Sequence, residues 1–95
     1  MEIRRSHTTP QFERDFLGLH ARLRARAAQR IKFFERDCFN RILDPHRLHG
    51  VLSKFWSFSI NRDIRVIFNF LPNAEVIYYR IGPHRIYEEL ERLFR

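Results

Sequence analysis

Trp56-Ser57-Phe58-Ser59-Ile60-Asn61-Arg62-Asp63-Ile64-Arg65-Val66-Ile67-Phe68 is the stretch whose reading decides the fold. Apolar side chains recur at alternate positions on both sides of Asn61-Arg62-Asp63, the period of a β-strand whose two faces differ. With those residues as the loop, Ile60 lies opposite Ile64, Phe58 opposite Val66 and Trp56 opposite Phe68, so the apolar pairs meet on one face. The same register puts Ser57, Ser59, Arg65 and Asn69 on the other face, which is polar apart from Ile67. A plain packed layer has no need of an arginine there, so chemistry is to be sought on that second face.

Downstream, Pro72-Asn73 turns the chain into a further strand, Glu75 to Ile81. Loops of two and of three residues give opposite face assignments for it. We take Ile77, Tyr79 and Ile81 as core, with Tyr78 and Arg80 on the face of Arg65. Gly82-Pro83 ends the strand, and His84 to Arg95 reads as a short amphipathic helix or turn. Its inward residues are Tyr87, Leu90 and Phe94, and Glu88 stands four residues before Arg92, the spacing of a helix ion pair.

Upstream, Thr9-Pro10 is a helix start: Thr9 caps the first free amides, and Pro10 occupies the position where a missing N–H costs nothing. Phe12, Phe16, Leu19 and Leu23 form one helical stripe; Ala27, Ile31, Phe34, Cys38 and Ile42 form a second, ended by Asp44-Pro45. We expect the break between the two helices near Arg22 to Arg26, and a strand over Glu2 to Ser6. The element order is then β-α-α-β-β-β with a short C-terminal helix. This is an α+β domain over residues 1–95, a helical hairpin packed on a small, mainly antiparallel twisted sheet.

Composition narrows the function. The formal charge is +7, and all the basic residues except Lys32 and Lys54 are arginine, whose planar fork suits paired contacts to phosphate. Such a surplus draws the chain toward polyanions, but it also suits an acidic protein partner. No apolar run is long enough for a signal peptide or a membrane span, which points to a cytoplasmic protein. Cys38, the single cysteine, has no partner for a disulfide or a thiolate metal site and reads as a small core residue. His46-x-x-His49 has metal-ligand spacing, yet no carboxylate pair or cysteine completes a set, so we expect neither metal nor cofactor.

Four segments, in order, are His46-Arg47-Leu48-His49-Gly50, Lys54-Phe55-Trp56-Ser57-Phe58-Ser59-Ile60, Asp63-Ile64-Arg65-Val66-Ile67-Phe68 and Ile81-Gly82-Pro83-His84-Arg85-Ile86-Tyr87. Together they resemble the RelE/ParE superfamily of toxins, above all its YafQ-like and YoeB-like branches. The resemblance implies a RelE-like fold and a type II toxin held silent by a cognate antitoxin. It also implies metal-free cutting of mRNA at the bacterial ribosomal decoding site, with the substrate 2′-OH as nucleophile. Such cutting needs a base for the 2′-OH proton, a cation for the transition-state charge and an acid for the departing 5′ oxygen. Carried over by position, His46 resembles the base, Arg65 the phosphate-holding arginine, His84 the acid, and Tyr87 the aromatic that stacks on or orients a base. Histidine titrates near physiological pH and arginine does not, which suits those roles.

Arg47, His49, Lys54, Ser57, Ser59, Arg62, Arg80 and Arg85 are the candidates for further RNA contacts. Ser57 and Ser59 depart from the resemblance, since several relatives carry basic residues there; the expectation is that Arg65 and loop cations bear more of the charge. Plainer readings stand beside these. Arg65 pairs with Asp63 or a C-terminal Glu, His84 caps the last helix, and Tyr87 fills the core edge. The other functional classes on the same scaffold are a ParE-like inhibitor of DNA gyrase without nuclease chemistry and a chain that binds RNA or antitoxin but does not react.

Overall fold

The computed structural model describes all 95 residues, Met1–Arg95. Strand β1 (Arg5–Thr8) is followed by helices α1 (Pro10–Gly18) and α2 (Ala21–Arg36). The short strand β2 (His46–Arg47) lies between two 3-10 turns, Arg41–Leu43 and Gly50–Leu52. Strands β3 (Trp56–Ser59), β4 (Arg65–Leu71) and β5 (Glu75–Gly82) come next, then helix α3 (Arg85–Arg92). The strands make one sheet in the order β1-β5-β4-β3-β2, antiparallel throughout except for the parallel pair β1–β5. The architecture is α+β, and no helix is long and apolar enough to cross a membrane.

The β3–β4 hairpin has the register expected from alternation: Trp56 pairs with Phe68, Phe58 with Val66 and Ser59 with Arg65. Ile60 and Ile64 close the loop, with the Ile60 amide donating to the Ile64 carbonyl at 2.9 Å. Asn61 Oδ1 accepts from the amides of Asp63 and Ile64, an Asx-type brace that explains why an asparagine opens this turn. The helical hairpin covers one face. Phe34 of α2 stacks on Phe58 at 4.1 Å between ring centroids and meets Phe68 edge-on at 4.8 Å, all three fully buried. A smaller cluster, Leu52, Phe55, Ile67, Ile86 and Leu90, holds α3 and the Gly50–Leu52 turn on the opposite face.

Several boundaries differ from the sequence reading. The helices break at Gly18-Leu19-His20, not near Arg22 to Arg26: α1 ends on Gly18, and His20 Nδ1 accepts from the Leu23 amide to cap α2. Helix α2 stops at Arg36, short of Asp44-Pro45. Cys38 is still buried, but Ile42 is 64% exposed, and Leu43 fills the core from the 3-10 turn. The first strand covers Arg5–Thr8, rather than Glu2 to Ser6, and lies along β5.

In β5 the face assignment is corrected. The β4–β5 loop has three residues, so Val76 pairs with Phe70 and Tyr78 with Phe68 on the helix-covered face; Tyr79 is then an extra residue in a bulge. The bulge flips the alternation and returns Ile81 to the main core opposite Val66. Ile77 is only partly buried, and Tyr79 joins the smaller cluster.

In α3 the buried residues are Ile86 and Leu90, whereas Phe94 is 42% exposed. The helix ion pairs join Arg85 to Glu89 and Arg95 to Glu91 instead of Glu88 to Arg92. A Cβ on Gly82, at the base of this helix, would lie 2.8 Å from Ile86 Cγ2, so any larger residue there forces the buried Ile86 side chain to shift.

Candidate active site

On the sheet face turned away from α1 and α2, β2, β3, β4 and the start of α3 surround a concavity of about 320 Å³. It is lined by Asp44, His46, Leu48, Arg65, His84 and Tyr87. His46, Arg65, His84 and Tyr87, which lie far apart in sequence, are thus brought together. The sheet accounts for this. Strand β2 pairs His46 with Ser57, β3 pairs Ser59 with Arg65, and β4 pairs Arg65 with Gly82, two residues before His84.

A hydrogen-bond chain crosses the site. Tyr87 donates its hydroxyl to Ser57 Oγ at 3.1 Å, and Ser57 Oγ lies 3.4 Å from His46 Nε2. His46 Nδ1 sits 2.9 Å from the Asp44 carbonyl oxygen, which can only accept. An N–H on Nδ1 would satisfy that carbonyl and leave Nε2 facing the Ser57 hydroxyl. Asp44 makes this contact from a left-handed backbone conformation, φ 50°. Ser57 is fully buried and is the only buried polar residue of the chain. In place of a surface phosphate contact, it forms the link between the two ends of the site.

Arg65 forms no ion pair with Asp63 or with any C-terminal glutamate. Its Nη1 donates to the carbonyls of Asn61 at 2.7 Å and Arg62 at 3.0 Å. The guanidinium is thus oriented by neutral carbonyls, with no carboxylate paired to it. His84 immediately precedes α3 without a side-chain capping bond, and its ring lies 5.0 Å from that of Tyr87, tilted by 52°. His46 and His84 are exposed, while Arg65 and Tyr87 are half-buried.

The remaining candidates divide. Arg47 donates from Nε to the Ser53 carbonyl at 2.8 Å, bracing the loop that follows β2, and His49 is exposed on that loop. Lys54 extends over the rings of Phe55 and Phe94. Arg62 is exposed in the hairpin loop, Ser59 is half-buried beside Arg65, and Arg85 is exposed on the first turn of α3. Arg80 does not join them. It is committed to Asp15 and Glu89, and the Asp15 hydrogen bond holds its guanidinium above the ordinary arginine range.

The sequence reading missed Asp44 and Leu48 as lining residues, and the bridging position of Ser57. Alternation put Ser57 on the correct face, but its burial depends on α3 lying over it. It also missed the exposed cations of α2, Arg22, Arg26, Lys32 and Arg36, none of which has a carboxylate partner. Arginine near the start of a helix opposes the macrodipole, so Arg22 does not serve the stability of α2. No three side chains of His, Cys, Asp or Glu cluster as metal ligands, and burial pushes the Cys38 thiol up from its usual range.

No protein-family model matches the sequence, and no curated protein matches it. Solved structures do. The YoeB/ParE toxin from Agrobacterium tumefaciens superposes with a TM-score of 0.70 at 18% identity, covering 88% of this chain and 99% of that one. YafQ from E. coli gives 0.69 at 13% identity, covering 86% and 94%. The toxin–antitoxin complex RelBE2 from Mycobacterium tuberculosis gives 0.67 at 20% identity, covering 83% and 95%. At these identities the likeness is one of fold, and it extends over nearly the whole of each toxin chain. The helical hairpin, the five-stranded mixed sheet and the closing helix of this chain make up the RelE/ParE-like toxin fold.

Proposed function

We propose that the chain is the toxin of a type II toxin–antitoxin pair and an endoribonuclease that cuts mRNA on the ribosome without a metal ion. The observation that carries this reading is the convergence of His46, Arg65, His84 and Tyr87 on one concavity, with His46 Nδ1 held at the Asp44 carbonyl and Nε2 turned toward Ser57. In the proposed step the ribose 2′-OH attacks the adjacent phosphorus as His46 Nε2 takes its proton. Arg65 offsets the negative charge growing on the phosphoryl oxygens. The bond from phosphorus to O5′ breaks, and protonated His84 delivers a proton to O5′, leaving a 2′,3′-cyclic phosphate and a 5′-hydroxyl. Tyr87 stacks on or orients a base beside the scissile phosphate.

The unpaired cations of α2, with Arg47, Arg62 and Arg85, supply the sequence-independent attraction to RNA phosphates. An antitoxin with acidic or amphipathic segments is the expected partner, in keeping with the RelBE2 structure, which is itself a toxin–antitoxin complex. The test is primer extension on a translated message with purified protein and ribosomes, alongside a gyrase supercoiling assay. Cleavage with normal supercoiling supports the reading. Inhibited supercoiling with intact message replaces it by the gyrase-inhibitor class.

A further inference from the structure

Arg80 lies at the meeting point of three elements. Its Nε donates to Asp15 Oδ2 at 2.7 Å, and its Nη2 donates to Asp15 Oδ1 at 3.1 Å and to Glu89 Oε1 at 2.9 Å. Asp15 Oδ2 also accepts the backbone amide of Ile81 at 3.1 Å. One guanidinium on β5 therefore grips α1 in a bidentate contact and reaches α3 with the same nitrogen. The side chains of Arg80 and Asp15 are only 14% and 10% exposed, so these contacts are shielded and charge-assisted.

Helix α3 depends on such a tie. Eight residues are too few to remain helical alone, and this helix buries only Ile86 and Leu90. Yet its rotation and height determine whether the Tyr87 hydroxyl reaches Ser57 and whether the His84 ring meets Tyr87.

We propose that Arg80 is a positioning residue: through Glu89 it fixes α3 against α1 and β5, and so holds Tyr87 and His84 at the concavity. The consequence for cutting rests on the ribonuclease reading above; the mechanical claim does not. A lysine would not substitute, because a single ammonium lacks the fork that bridges two carboxylates.

The test uses the full chain with Glu89→Gln, at a side chain that is 40% exposed, and with Arg80→Gln. Amide exchange is expected to rise within Arg85–Arg92 by about threefold for Glu89→Gln and by roughly tenfold or more for Arg80→Gln, with β3 and β4 unchanged. The His84 ring proton resonances, shifted by the nearby Tyr87 ring, should move in both variants toward their positions in Tyr87→Leu. RNA cutting should lose kcat by similar factors with KM unchanged. Unchanged α3 exchange and unchanged His84 resonances in both variants overturn the proposal, as does a loosened α3 with undiminished kcat. If the wild-type chain cuts no RNA while both variants show the exchange and resonance changes, the positioning of His84 and Tyr87 stands and only the ribonuclease reading is removed.

Discussion

On the side of the sheet covered by α1 and α2, β3, β4 and the hairpin between them present Phe58, Ile60, Val66 and Phe68, all fully buried against the helices. On the other side the same hairpin presents Ser57, Ser59, Arg65 and Ile67, and only Ile67 belongs to a packed cluster. Because side chains alternate strictly along a strand, one hairpin serves both demands without compromise. Its aromatic face makes the sheet rigid, and its polar face can then be open, charged and weakly packed. The comparison teaches that stability and chemistry should respond separately to substitution on the two faces.

The sharpest way to break that separation is a pair of truncations. Phe58→Ala leaves a hole beneath Phe34 and should destabilise the chain by about 3–5 kcal/mol in chemical denaturation. Arg65→Ala should lower mRNA cutting by roughly 10²–10³-fold, while its melting temperature stays within a few degrees of wild type. A large loss of stability in Arg65→Ala would join the two faces into one unit.

Ser57→Ala sharpens the comparison, because Ser57 is buried yet belongs to the polar face. Removing its hydroxyl strands Tyr87 without an acceptor and frees one end of the His46 ring. Stability should fall by about 1 kcal/mol, and cutting by roughly tenfold, the low end of what supporting contacts are worth. Far from the site, Ala74 adopts φ 59° in the β4–β5 loop, a conformation that costs an L-residue roughly 1 kcal/mol. Ala74→Gly should raise the denaturation midpoint slightly and leave cutting untouched.

Much of this was legible in the sequence wherever a period repeats beside a strong turn signal. The β3–β4 register followed from apolar residues at alternate positions and from Asn61, whose side chain braces the loop. Where periodicity runs on past the end of an element, it misleads. Leu19 and Leu23 continue the stripe of α1 across the actual break at Gly18, and Cys38 continues that of α2 beyond Arg36 although it lies in irregular chain. The face of β5 could not be read, because loop length and the Tyr79 bulge each reverse it.

The concavity was reached from the positions of His46, Arg65, His84 and Tyr87, while its internal wiring was not. Ser57 looked like a missing cation until α3 was seen to bury it, and Arg80 looked like a phosphate contact until Asp15 and Glu89 were found around it. Contacts between elements distant in sequence leave no periodic trace.

The most direct test of the site chemistry is the identity of the ends left on a cut message, determined by mass spectrometry of the fragments. Attack by the 2′-OH with His46 as base and His84 as acid predicts 2′,3′-cyclic phosphate on one fragment and 5′-hydroxyl on the next. Fragments ending in 3′-hydroxyl and beginning with 5′-phosphate would require water as the nucleophile and would contradict the account.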